Sequence, residues 1–315
     1  MKVSDKLSRK TELTRYQLSK STFIRGIQCE KSLYLYKHHY KDRDPIPVSL
    51  QTVFDQGNKV GILAQGLFPG GVDASPENYF KIAESAVKTK DLITKGNETI
   101  YEATFIHNEV LAALDILVKK ESGWVAYEVK SSTKVSPTYI KDAAIQYYTI
   151  INCGIKLKDI SIIHINSQYV KDGDINIQKL FTIESVSNRI QQLLPEIPKQ
   201  IKEFKKVLLN KSVPDIGIGE HCSKPYNCDF KGHCWKHIPE YSIFDISGLR
   251  NPKKFKLYEN GVINFEQIDL HSSYLNPNQL LQVNSELENK SFIDKPKIKD
   301  FIEDLNYPLY FLDFE

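Results

Sequence analysis

The 315-residue sequence has no apolar run long enough to cross a bilayer, and its N-terminal region lacks the apolar core of a secretory signal. These absences leave a cytoplasmic protein with no membrane partner as the expectation. No single charge dominates: 42 Lys and Arg against 39 Asp and Glu leave a formal +3, so the global field is weak. The five cysteines are odd in number and unevenly placed, unlike a secreted disulfide framework. What the sequence does have is 41% hydrophobic residues, enough for one large core or two, which excludes wholesale disorder. Its basic residues fall in clusters: Lys2 to Lys10, Lys130 to Lys141, Lys199 to Lys211 and Lys253 to Lys256. Clusters matter more than net charge to a phosphate backbone, although each one also fits a solvated helix face or a tail.

Two apolar, β-branched runs flank a turn. Val110 to Val118 leads through Lys119-Lys120-Glu121-Ser122-Gly123 into Trp124 to Lys130, which reads as a β-hairpin. Asp115 sits alone inside the first run. Glu128 and Lys130, two residues apart, point to one side of the second. The hairpin can bring Asp115 beside them. Two carboxylates and an ammonium on one sheet face fit a divalent-metal hydrolase: carboxylates hold Mg²⁺ or Mn²⁺, the metal activates water, and the lysine steadies developing charge. By itself the spacing also fits a strand with a surface ion pair.

Around this hairpin the expected order is helices first, then a mixed α/β sheet. Residues 1–18 read as a basic arm. Leu18-Ser19-Lys20-Ser21 opens one or two short helices through Tyr36, with serine as N-cap. Val48 to Phe68 has helical spacing in Val53, Phe54, Val60, Leu63 and Ala64, with Gly57 and Gly61 expected to permit close packing. A further helix is expected over Glu77 to Lys95. Strands follow at Thr99 to His107, Val110 to Lys119 and Trp124 to Lys130. Then come a helix over Pro137 to Asn152, strands at Asp159 to Asn166 and Ile175 to Ile183, and an amphipathic helix from Pro195 to Leu209.

Cys222, Cys228 and Cys234 come at even spacing, separated by turn-forming Pro, Asn and Gly. Three close thiols of this kind point to metal ligation. The fourth ligand could come from Cys29, Cys153, His221, His233 or His237, and Cys153 reads most simply as core. An all-thiolate set suits an iron–sulphur cluster or zinc. With Cys29 as the fourth ligand, the centre would close a loop of roughly 190 residues.

One cysteine before and three after an Asp…Glu-x-Lys core resembles the RecB-like branch of the PD-(D/E)XK nucleases. The likeness is to its iron–sulphur members, of the AddB and CRISPR-associated exonuclease type, and covers residues 18–238. It implies a nuclease domain over 19–240, DNA as partner with RNA as the alternative, and exonuclease action on single strands or ends. It implies that Asp115 and Glu128 bind Mg²⁺ or Mn²⁺, that Lys130 completes the E-x-K motif, and that Cys29, Cys222, Cys228 and Cys234 hold a [4Fe–4S] cluster, with zinc as the alternative. Gln146, with Tyr147 or Tyr148, resembles the family's Q-x-x-x-Y motif, which contacts DNA near the active site.

The departures are specific. Ile150 stands where the family's tyrosine is usual. Gly57 is followed by Gly61, where the family often supplies a metal-binding acid or histidine; Asp55, Gln56 and Glu102 are the possible substitutes. The last cysteines are spaced five and five rather than two and five. The alternative reading is therefore a non-catalytic nucleic-acid-binding module with an iron–sulphur or zinc centre. A zinc-stapled protein-interaction domain is a third.

Beyond Tyr241 the character changes. Lys253 to Tyr258, Asn260-Gly261-Val262 and Phe265 to Ile268 resemble a degenerate helix–hairpin–helix within a helical linker over 241–305, which could hold phosphates. Tyr307 to Glu315 reads as a buried strand ending in Asp313-x-Glu315. It resembles the first motif of DnaQ-like, RNase H-fold exonucleases, and the expectation is the truncated start of such a domain over 306–315, inactive as it stands.

Overall fold

The computed structural model describes residues 17–269 and 274–313. The chain divides into two compact units between Cys234 and Trp235. The first is α/β, built on a seven-stranded mixed sheet. Its elements are β1 (Leu18–Ser19), α1 (Lys20–Gln28), α2 (Glu30–His38), α3 (Val48–Gln65), β2 (Val72–Asp73), α4 (Ile82–Thr94), β3 (Thr99–His107), β4 (Val110–Lys120), β5 (Gly123–Lys130), α5 (Pro137–Asn152), β6 (Leu157–Ile165), β7 (Phe181–Ser185) and α6 (Ile197–Leu209). The sheet runs β2-β3-β4-β5-β6-β7, and β1 pairs with β4 at its side.

The strands β3, β4 and β5 form an antiparallel meander. The β4–β5 turn is tight, with Lys120 paired to Gly123. Gly123 has φ 145°, and a Cβ there would lie 2.8 Å from the Lys156 carbonyl oxygen, so only glycine fits. The strands β5 and β6 are parallel and are joined through α5, the crossover that parallel pairing requires. Ser136 Oγ caps α5 by accepting from the Tyr139 N–H at 3.3 Å, and Pro137 sits in its first turn, where a missing N–H costs nothing. Its buried face carries Ile140, Ala143, Ala144, Ile145 and Ile150.

At the N-terminal end Ser19 and Thr22 form a reciprocal capping box that fixes the start of α1. The apolar side of α6, with Ile201 and Phe204, packs into the same core as Phe23, Leu33 and Leu35. Gly26 permits this approach: a Cβ there would stand 2.8 Å from the Phe204 ring. The Phe23 and Phe204 rings meet edge-on at 5.4 Å, a pairing that adds about 1 kcal/mol beyond its buried area.

Several expectations need correction. The first half of α3 does not bury the face its spacing marks: Val53 is 52% and Phe54 47% exposed, and among the described residues nothing beyond the helix's own adjoining backbone lies within 4 Å of a Cβ built on Gly57 or Gly61. Residues 177–180 form a helical turn capped by Asn176, so the strand expected from Ile175 begins only at Phe181. Cys153 ends α5 as an exposed residue, not a core one.

The second unit has its own core of Ile243, Ile246, Leu249, Phe265, Ile268, Leu275 and Val283. Its helices are α7 (Asn251–Glu259), α8 (Pro277–Leu287) and α9 (Lys295–Glu303). Gly261 makes the expected turn, with φ 81°, but a single 3₁₀ turn over Phe265–Gln267 follows in place of a second helix. The ammoniums of Lys253 and Lys254 donate to the carbonyls of Tyr274 and Phe244, so both side chains tie the unit together. No strand forms over residues 306–313, and Tyr310 and Phe311 are exposed, contrary to the expected buried strand. Glu315 lies outside the described residues. No helix among the described residues is long and apolar enough to cross a membrane.

Candidate active site and cysteine centre

The carboxylates converge where the hairpin opens. Pairing between β4 and β5 runs from Lys120 and Gly123 up to Ile116 and Tyr127 and stops there. At the next position Asp115 Oδ2 accepts the backbone N–H of Val129 at 2.5 Å, replacing the ladder bond the separating strands lose. Glu128 lies beside it, 2% exposed. Glu128 Oε1 accepts from Lys20 Nζ at 2.6 Å and from Lys130 Nζ at 2.8 Å, while Oε2 accepts from Gln146 Nε2 at 3.0 Å. Lys130 Nζ also donates to Asp142 Oδ2 at 2.8 Å and lies 5.1 Å from the centroid of the Tyr139 ring.

The two buried carboxylates are driven apart electrostatically. Burial, and then the charge of Glu128, push the Asp115 carboxyl well above the usual carboxylate range. Burial works to raise Glu128 too, but the ammoniums of Lys130 and Lys20 overcome it and hold that carboxyl below its ordinary range. For both lysines burial opposes the charge, and the carboxylates win: Lys20 is raised and Lys130 raised further. The centre at rest is an ionised Glu128 clamped by two ammoniums, beside a carboxyl that is easily protonated.

Of the three possible substitutes for the missing helix ligand, the structure brings Glu102 to this place. Glu102 occupies the β3 position between the pairs Tyr101–Ile116 and Ala103–Leu114, opposite Asp115. Its φ of 53° is unusual for a residue with a side chain. Burial, and the nearby charges of Glu128 and Asp73, raise its carboxyl, although Lys20 works to lower it. Asp55 lies on the exposed half of α3, bonded to Gln51. Gln146 departs from expectation: it is fully buried, so in this conformation it orients Glu128 instead of facing a nucleic-acid strand. Its Oε1 has no hydrogen-bond partner among the described residues.

Lys20 and Asp142 were not among the expected site residues. Asp142 had a signal, since it lies one helical turn before Gln146 on α5. Lys20 had none of that kind, because its partner is 108 residues away.

All four expected cysteines, Cys29, Cys222, Cys228 and Cys234, line one small cavity with His221 and Phe230, and all are free thiols. Cys29 sits at the joint between α1 and α2 in an extended conformation, which breaks what would otherwise be one helix. The three later cysteines are folded by local backbone bonds: Cys228 N–H donates to the Cys222 carbonyl at 2.9 Å, and Cys234 N–H to that of Phe230 at 2.9 Å. Side chains from the N-terminal helices pin this loop. Arg25 forks onto Asp229 at 2.5 and 3.0 Å, Arg43 reaches the same carboxylate at 2.7 Å, and Gln28 Nε2 donates to the carbonyls of His221 and Tyr226. Burial raises the thiols of Cys29 and Cys234, and the neighbouring cysteines add to it. Cys153 lies elsewhere, its thiol donating to the Ile106 carbonyl. His237 belongs to the second unit and bonds Tyr258.

The donor chemistry fits both expected groups: hard carboxylate oxygens at one centre and four soft sulphurs at the other. As the side chains stand, no three His, Cys, Asp or Glu among the described residues converge on a point that would hold a single metal ion. At the acidic centre two ammoniums contact Glu128. No protein-family model matches the sequence, and no curated protein matches it.

Proposed function

We propose that this chain is a metal-dependent nuclease that hydrolyses phosphodiester bonds in DNA, with single strands or ends as substrate. The supporting observation is the buried pair Asp115 and Glu128, adjoining across the opened end of a hairpin and pushed to opposite sides of the carboxylate range. A pair kept for stability alone would be costly here, because each buried acid adds desolvation and mutual repulsion. Perturbed carboxylates concentrate at functional sites, although structural ion-pair networks shift them too. The RecB-like resemblance of the sequence points the same way.

Asp115, Glu128 and Glu102 are the oxygen donors that would hold Mg²⁺ or Mn²⁺. Such a cation, when bound, polarises a phosphoryl oxygen and makes hydroxide available near neutral pH. Asp115 has to lose its proton to serve as a ligand. Gln146 fixes one oxygen of Glu128 and so limits its rotation. Lys130, held between Glu128 and Asp142, offers a positive charge set in advance for the negative charge that develops on the phosphate. The four cysteines would hold a [4Fe–4S] cluster, with zinc as the alternative, and its role would be to lock α1 and α2 to the loop after α6.

The test uses anaerobically purified full chain, labelled single-stranded DNA and Mn²⁺, with wild type beside Lys130→Ala. The reading predicts cleavage by the wild type and a loss of roughly a hundredfold in the variant, the usual scale for removing one charge-stabilising donor. Binding of DNA by the wild type without any cleavage would favour the non-catalytic module instead.

A further inference from the structure

Lys20 is an unusual residue for its position. It opens α1, where the helix dipole disfavours a cation, and no acidic residue shares that first turn. Its place follows from β1, whose pairing with β4 (Leu18 to Val110, Ser19 to Leu111) sets the start of α1 beside the acidic centre. There its ammonium reaches Glu128 Oε1 at 2.6 Å, the same oxygen that Lys130 contacts at 2.8 Å. Two ammoniums on one oxygen repel each other. Lys130 is anchored by a second carboxylate, Asp142. Lys20 makes its one side-chain hydrogen bond among the described residues to Glu128, so it is the more easily displaced. It also lines a cavity of about 830 Å³ with Ser21, Leu33, Tyr36 and Lys37, which gives the freed side chain somewhere to go.

We infer that Lys20 is a built-in counter-ion: its ammonium neutralises Glu128 while the centre is empty and gives way when a divalent cation binds, so that Lys20 sets the affinity for metal. The inference rests on the nuclease reading for the metal itself. The physical reason is charge. Asp115 and Glu102 adjoin Glu128 at this end of the hairpin, and a divalent cation brings to that place twice the charge of the one ammonium it replaces. Without metal, the alternative to Lys20 would be a buried carboxylate with fewer partners, which is costly. The arrangement keeps the centre folded in either state and makes loading a competition.

The first test needs no variant. The full chain is treated with a lysine-acylating reagent with and without Mn²⁺, and modification of Lys20 is followed by mass spectrometry. Lys20 should react several-fold faster with Mn²⁺ present, while Lys130 should not. An unchanged Lys20 rate at saturating Mn²⁺ overturns the inference.

The second test compares Mn²⁺ dissociation constants, measured by electron paramagnetic resonance, for wild type, Lys20→Met, Lys20→Gln, Lys20→Arg and Glu128→Gln. Methionine and glutamine should each tighten binding by roughly tenfold or more, the scale of one charge-assisted hydrogen bond. Arginine should stay near wild type. Having two neutral variants guards against one that fails to fold. Wild-type binding that is lost in Glu128→Gln but unchanged or weakened in the neutral Lys20 variants overturns the role of Lys20 and leaves the nuclease reading standing. Absence of any Glu128-dependent Mn²⁺ binding overturns both.

Discussion

Lys130→Ala should unfold the first unit at a visibly lower temperature. Lys130 Nζ lies 2.8 Å from both Glu128 and Asp142, and its side chain is 19% exposed. Removing it takes the direct cation contact from Asp142 and leaves Glu128 with one ammonium, Lys20, and the Gln146 amide. Breaking a fully buried pair costs about 3–5 kcal/mol. The residual exposure and the surviving Lys20 reduce this to about 2–3 kcal/mol. At about 2–4 °C per kcal/mol for a unit of this size, Tm should fall by about 4–12 °C. The assay is calorimetry of the anaerobic full chain in EDTA, with Lys81→Ala as control, because its partner Glu77 lies in solvent and that variant should melt with the wild type. The loss should also depend on pH. Glu128 is held low in the folded state, so its pairing contributes stability above the ordinary carboxylate range and loses it as pH falls toward about 2. The difference between wild type and Lys130→Ala should therefore be largest at neutral pH and shrink in acid. A variant melting within about 1 °C of wild type at pH 7 would refute the claim that this lysine carries the buried carboxylates.

Asp115 gives a second pH dependence of opposite sign. Its carboxyl is raised, so ionising it costs folding energy as pH rises through about 7, and metal binding must expel its proton below that point. Mn²⁺ affinity by titration calorimetry should rise with pH up to about 7 and then level off; a flat profile from pH 5 to 8 would contradict this. Anaerobic protein should show the broad visible absorption of thiolate-bound iron, lost in Cys222→Ser and kept in Cys153→Ser; colourless protein containing stoichiometric zinc would replace the cluster with the alternative metal. Asp229→Ala should loosen the cysteine loop, since one carboxylate serves both Arg25 and Arg43. Its visible chromophore should bleach several-fold faster under chelator than that of wild type.

The elements that were legible in the sequence carry their own local instructions. The helix α5 was expected over Pro137 to Asn152 and is found there, because Ser136 and Pro137 mark its start and its apolar spacing is regular. The hairpin was legible from its turn composition, and with it the proximity of Asp115 to Glu128. Three of the four cysteines that line one cavity were marked by their close spacing, and Cys29 was one of several candidates for the fourth. What was not legible depends on distant partners. Lys20 reads as an ordinary helix-start residue until β1 docks on β4. Glu102 was one of three possible substitutes for a helix ligand, and only its left-handed position opposite Asp115 separates it from the other two. Gln146 was assigned to a nucleic-acid strand and instead lies sealed against Glu128, a matter of burial that a motif does not encode. The apolar periodicity of α3 is real, but the sheet covers only the end carrying Val60, Leu63 and Ala64. The apolar run ending at Asp313 has strand composition, yet its residues pair with no strand among those described.

The central claim is that Asp115 and Glu128 form the metal site of a nuclease. The most direct measurement is Mn²⁺-dependent hydrolysis of end-labelled single-stranded DNA by anaerobically purified full chain, wild type beside Asp115→Asn and Glu128→Gln. Both substitutions keep side-chain size and remove a charge. The account predicts shortened products from the wild type and a loss of roughly a hundredfold or more in each variant. Hydrolysis that persists at the wild-type rate in both variants, or a wild type that binds Mn²⁺ and DNA and releases no product, would contradict it.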